Sequence, residues 1–337
     1  MVHWSRTWVA VVVLLTGLAP SSHAQGGAPR QPYRVLRAER VGGEGLWDYL
    51  YADADARRLY IPRRAPAPGA AGPAATTRLS VYNLDTLALI GEIEGVGGSG
   101  AAIDPKSGHG FTSSKPVSMF DTKTLKALRT IDVGDAVPDG ILFDAFNRRV
   151  YVFSHPTKDA IVIDASSGTV LGRIDLGGVP EQGVSDGKGT LYVVMQDPQG
   201  SVAVVDAKTM KVTTHYPFGD AGGCNGLAMD LKHRVLFAAC ARSGNPPTDP
   251  PKPVMKVLSA TDGRVFATLP LAGGSDGAVF NPRTMEAFST HGNGTLTVVK
   301  ETSQTSFEVA QNLDTKNGAR TDRKSTRLNS SHGYISY

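Results

Sequence analysis

No apolar run in this chain reaches the roughly 20 residues that a membrane-spanning helix needs, so no transmembrane segment is predicted. The longest, residues 8–19, follows Arg6 and leads to Ser22, His23 and Ala24, with small residues at the −3 and −1 positions of a cleavage site. That is the layout of a signal peptide over residues 1–24, and it predicts an exported protein, periplasmic or extracellular. Cysteine is scarce as well, only Cys224 and Cys240 being present. Neither paired CxxC nor HExxH occurs, which excludes the usual zinc patterns. A GxSxG elbow, a Walker loop and a dinucleotide fingerprint are also missing, which argues against common hydrolase and nucleotide chemistry.

Charge of one sign is a further absence. The chain carries 35 basic and 31 acidic residues, but the leader holds one of the basic and residues 322–337 hold three basic and one acidic. The core is thus balanced at 31 against 30, and it lacks the electrostatic footprint of a nucleic-acid or membrane-surface binder. Residues 322–337, DRKSTRLNSSHGYISY, resemble an out-of-frame translation of a sequencing adapter and are set apart as a non-native tail.

What the chain does contain is a repeat. Short Val, Ile, Leu, Tyr and Phe runs recur between Gly, Pro, Asp and Asn clusters, with no sustained 3.6-residue periodicity, and read as all-β. Aligned on the end of each unit's third strand, Asn83, Asp121, Asp164, Asp206, Ser259 and Lys300 are spaced by 38, 43, 42, 53 and 41 residues. That is the period of a four-stranded propeller blade, about 40 to 45 residues. The long spacing is explained by one insertion at 244–253, GNPPTDPPKP. A second Pro-rich stretch, 65–77, also falls between second and third strands and reads as a surface loop.

These units predict a seven-bladed β-propeller over residues 33–321, with blades beginning near 47, 98, 139, 180, 225, 276 and 318. The last is cut short at the tail. Residues 33–41 are assigned as its outer strand, closing the ring so that no long edge is exposed. The blocks GGEGLWDYLYAD, RRVYVFS, VVDAKTMKV, NGLAMDLKHRVLF, GNGTLTVV and NGAR resemble the YncE-like, YVTN-repeat propellers of bacteria across residues 33–320. The resemblance implies a fold and assigns no activity.

Counting five residues back from the Asp or Asn that ends each first strand gives Asp48, Ser99, Asp139, Glu181, Asn225 and Asp276, and Arg320 by the same register. First strands line the channel of a propeller, so these polar residues are expected at one mouth of it. His155 and His291, at the ends of second strands, are expected on the same face. Asp48, Asp139, Glu181 and Asp276 are the oxygen set that a hard cation such as calcium would take, and no other cofactor is expected. His233 sits in a hairpin turn, and His109 and His215 have no partner at a ligand spacing. The aspartates after first and third strands read as turn formers, since Asp hydrogen-bonds the backbone two residues on. Cys224 and Cys240 lie equally far from a turn centred on Lys232, which predicts a disulfide across the ladder.

Three functions fit this reading. The leading one is a non-catalytic, monomeric binding module that takes a protein or small ligand on the mouth face. A metal-assisted, lactonase-like hydrolase and a structural or surface-layer component are the alternatives.

Overall fold

Six antiparallel four-stranded sheets, each formed by consecutive strands, make up residues 51–314 of the computed structural model. The structure describes residues 33–41, 44–66, 76–244 and 249–318, with the backbone of Asp322–Ser325 and Gly333–Ser336. Sheets 1 to 6 span 51–94, 101–131, 138–175, 180–217, 221–270 and 275–314. The signal-peptide segment and Arg320 lie outside the described residues. No helix among those described is long and apolar enough to cross a membrane.

Second and third strands are rich in Val, Tyr, Phe and Ile because both of their faces are covered by neighbouring sheets, which favours continuous apolar runs over alternation. Tyr151, Phe153 and Val162 of sheet 3 pack on Leu191, Val193 and Val205 of sheet 4, and the next sheets repeat the arrangement. Fourth strands are more exposed, as in Lys126–Ile131, where only Ile131 is buried.

Turn chemistry follows the aspartates. Asp121, Asp164 and Asp206 each accept backbone N–H groups from the residues two and three places on, Asp53 and Asp230 do the same after first strands, and Asp104 accepts from Lys106 N–H and Ser107 Oγ. Some of the latter also tie neighbouring sheets, as Asp104 does through its ion pair with Arg148.

Both ends of the expected ring differ from the sequence reading. Residues 33–41 form no strand. Tyr33 is clamped to sheet 6, exchanging hydrogen bonds with Gln311 and packing edge-on against Phe288. Further along, Arg37 donates to the Thr86 carbonyl of sheet 1 and Val41 packs on its Leu59 cluster. A strand needs a ladder partner, and among the described residues this segment has none, so it runs between two sheets without joining either. The segment set apart as a tail pairs Asp322–Ser325 with Gly333–Ser336, and the first of these strands touches the first strands of sheets 1 and 6. Six four-stranded sheets stand where six full blades were expected, and a two-stranded hairpin is described where a truncated seventh blade was expected.

Cys224 and Cys240 are paired in the ladder of sheet 5 and joined by a disulfide, with a Cα separation of 3.8 Å. The hairpin is not centred on Lys232, however: the Asp230–Val235 and Ala228–Phe237 pairs place its centre between Lys232 and His233. An extra residue, Asn225, is inserted between Cys224 and Gly226, and this shift brings the two sulfurs opposite each other.

Candidate functional site

The same irregularity recurs in the first strands of sheets 3 to 6, and it builds the site. The ladder skips Asp139 and Gly140 in sheet 3, Glu181 and Gln182 in sheet 4, Asn225 in sheet 5 and Asp276 in sheet 6. A β-bulge leaves its extra residue unpaired and re-aims the side chain, and here the re-aimed residues are those counted from the repeat.

Asp48, Asp139, Glu181, Asn225 and Asp276 line one cavity of about 390 Å³, together with Tyr49, Arg64, His155 and Gln196. Ser99 is fully buried at its edge, where it accepts from Arg64 Nη1 at 3.0 Å and hydrogen-bonds Asp139. Six of the seven expected ring residues therefore meet, and the seventh, Arg320, is outside the described residues. Most of the Pro-rich stretch 65–77 and the centre of 244–253 lie outside the described residues.

His155 joins the ring as expected and His291 does not. The ladder pairs Ser154 with Pro138 and His291 with Ser275, so His291 is the equivalent of Ser154, one residue short of the His155 position. One residue reverses the facing of a strand side chain. His291 is completely buried, holds Thr295 Oγ1 through Nδ1 at 2.9 Å, and is pushed down to about 4 by burial, so it is a neutral core residue.

The missed members occupy that same register. Arg64 and Gln196 stand immediately after the second strands of sheets 1 and 4, where His155 stands in sheet 3. Alignment of the second strands would have found both; neither residue type marks itself as a ligand.

Glu181 is the hub. Tyr49 Oη donates to its Oε2 at 2.5 Å and Gln196 Nε2 to its Oε1 at 2.9 Å, while His155 Nε2 lies 3.4 Å from Oε1 and 3.1 Å from Asp139 Oδ2. On the far side Asn225 Nδ2 donates to Asp276 Oδ1 at 2.9 Å. Burial, then the charge of Asp139, push the Glu181 carboxyl up to about 8. Burial also disfavours charge on Asp139, but hydrogen bonds from His155 and Ser99 outweigh it and hold that carboxyl below its ordinary value. The hydrogen bond to Asp139 raises His155, against the opposing effect of burial, and the nearby Glu181 and Asp48 charges add to the rise. Burial and the surrounding carboxylates keep the Tyr49 phenol neutral. At neutral pH the cluster thus holds an ionised Asp139 and a Glu181 that still carries its proton, beside a His155 shifted toward its cationic form.

Beneath the ring the first strands of sheets 3 to 6 draw close together. The residue after the ring position is glycine in four sheets, Gly100, Gly140, Gly226 and Gly277, and bulky only as Tyr49 and Gln182. A Cβ on Gly140 would stand 2.8 Å from the Glu181 carbonyl oxygen, and one on Gly226 2.7 Å from the Gly277 carbonyl carbon. First strands therefore approach backbone to backbone at this level. Gln182 fills the gap by accepting from Leu227 and Ala278 N–H at 3.1 Å each and donating to the Ala278 carbonyl at 3.0 Å. Gly226→Ala is expected to cost about 1–3 kcal/mol, the usual range for overpacking. Thermal melts check this, with exposed Gly274, whose Cβ position meets only Ala241 Cβ at 4.0 Å, as the control substitution.

A larger depression of about 480 Å³ lies at the opposite rim, lined by Lys188, Tyr192, Lys208, Tyr216 and Arg234 among others. It contains none of the ring residues.

No protein-family model matches the chain, and no curated protein matches it in sequence. Solved structures do. Hydrazine synthase of Kuenenia stuttgartiensis superposes with a TM-score of 0.66 at 13% identity, covering 88% of this chain and 92% of that one. A chain of the mitotic checkpoint complex gives a TM-score of 0.68 at 11% identity, covering 94% of this chain and 93% of that one. Both are β-propeller proteins with repeated four-stranded sheets, and this chain shares that fold with them.

Proposed function

We propose that this protein is an exported binding module, a YVTN-type propeller with a seventh blade position, that holds a small cationic ligand in the mouth of its channel. The observation that carries this reading is the charge imbalance of one cavity. Among the described residues, Asp48, Asp139, Glu181 and Asp276 line it with one guanidinium, Arg64, and one imidazole, His155. Carboxylates gathered in a partly desolvated pocket repel one another, and an ammonium group or a divalent cation relieves that repulsion. The rigid sheets hold the acceptors in place, as recognition by a preformed pocket requires.

Calorimetry with calcium chloride and, separately, with small diamines tests the reading. Either cation class should raise the melting temperature by linkage. Asp139→Asn with Asp276→Asn should abolish that rise. Binding should also strengthen as pH goes from 6 to 8, because the ligand displaces the proton that Glu181, pushed up to about 8, still holds. If neither cation binds, or both bind the double variant as well as the wild type, the mouth is only a solvated rim.

One observation favours a second reading, metal-assisted hydrolysis. Single ligand atoms of Asp139, His155 and Glu181 lie within 4.8 Å of one another, a set able to hold an ion that polarises water. Chelator-sensitive hydrolysis of a lactone, lost in Asp139→Asn, distinguishes it from binding alone.

A further inference from the structure

Asp230, His233 and Glu301 form a second cluster at the other end of the sheets. Asn225, at the mouth, is separated from Asp230 by five residues of one strand, roughly 17 Å. The repeat supplies an internal control for this cluster. In every sheet the turn after the first strand offers a carbonyl to the N–H of one equivalent residue: Leu84, Thr122, Ala165, Ala207, Ala260 or Glu301. Only the sixth sheet has a carboxylate there, and Glu301 is just 4% exposed. Three places after the residue that ends each first strand stand Ala56, Ser107, Asn147, Gly189 and Thr284, and in sheet 5 alone a histidine, His233.

The two exceptions meet each other. His233 Nδ1 lies 2.6 Å from Glu301 Oε1 and 2.8 Å from Asp230 Oδ2. A single ring N–H serves one acceptor well, so two carboxylates at one nitrogen leave a charge uncompensated. The other carboxylate oxygen, Glu301 Oε2, is buried with no hydrogen-bond partner, a costly state that calls for an explanation.

We propose that Asp230, His233 and Glu301 bind a divalent transition-metal ion of the zinc class. Glu301 brings both oxygens within reach, which accounts for its orphaned Oε2, and His233 supplies neutral Nδ1. Mixed imidazole and carboxylate ligands suit zinc, whereas calcium takes oxygen throughout. Bonds of about 2.0–2.1 Å at tetrahedral angles set ligand atoms roughly 3.3 Å apart, so loading spreads the three groups by about half an ångström. His233 is on a turn with its side chain 17% exposed, and it is the member able to move.

The test is calorimetric titration of metal-free protein with zinc chloride, in a His155→Ala, Asp139→Asn background that disables the mouth cluster. One equivalent of zinc should still bind, and adding Glu301→Gln or His233→Ala should weaken it by about 100-fold or more, at least the loss seen when a metal's supporting shell is removed. No binding in that background, or binding unchanged by a folded His233→Ala or Glu301→Gln protein, overturns the proposal. Should both variants fail to fold, carbethoxylation read by mass spectrometry decides. Zinc protection of His233 in the disabled-mouth protein supports the site, and unaltered modification overturns it.

Discussion

Replacing both Cys224 and Cys240 with alanine should lower stability by about 3 kcal/mol, the value that chain entropy gives for a loop of this size. The cross-link joins residues 16 apart and is completely buried. At two to four degrees per kcal/mol for a domain of this size, the melting temperature should fall by about 6–12 °C. The location matters as much as the energy. Cys224 immediately precedes the bulged Asn225, so the bridge pins the strand where it leaves regular pairing and turns Asn225 toward Asp276. The variant should therefore also bind cations at the mouth more weakly. Calorimetric melting measures the first effect and titration the second. A loss below about 1 kcal/mol would mean that the ladder holds the bulge unaided.

Stability should fall as pH rises from about 5 to 8, and Glu181→Gln should remove most of that slope. The Glu181 carboxyl, raised from 4.5 to about 8, binds its proton more tightly in the folded state than in the unfolded chain. Such a group contributes stability that is complete below the unfolded value and is lost as pH rises through the folded one. At 1.36 kcal/mol per pH unit the ceiling is roughly 5 kcal/mol, and about 3 kcal/mol is the reasonable expectation once Asp139 and His155 readjust. His155, also raised, acts in the same direction. Asp139 is lowered, so its contribution is present above its unfolded value and fades as pH falls through the folded one, below this window. Melting curves across the range should show the wild type descending, with the glutamine variant flatter and the more stable of the two at pH 8. A flat wild-type profile, or equal slopes, would place an ionised Glu181 in the mouth.

The site and the second cluster differ in how far they could be read from residues. The ring positions were legible because a repeat superposes equivalent residues: Asp48, Asp139, Glu181, Asn225 and Asp276 share one register and line one cavity. His155 was legible by its place after a second strand. His291 was misplaced because a count made to the end of a strand carries an error of one residue, and in a strand that error turns the side chain about. Tyr49, Arg64 and Gln196 went unseen because nothing in their chemistry separates a pocket wall from an ordinary surface. His233 and Glu301 are 68 residues apart and belong to neighbouring sheets, so no spacing rule connects them.

Composition and period alone determined that the chain folds as all-β repeats of four strands, since apolar runs at a fixed interval can be buried only by stacking like units. They also picked out Asp48, Asp139, Glu181, Asn225 and Asp276, which line one cavity. Tertiary structure decided where the ladders slip. The bulges that turn Asp139, Glu181, Asn225 and Asp276 into the mouth, and the one that aligns the cysteines, arise from the fit of twisted sheets around a common centre. Contacts between sheets set that fit, and no local stretch of sequence encodes it.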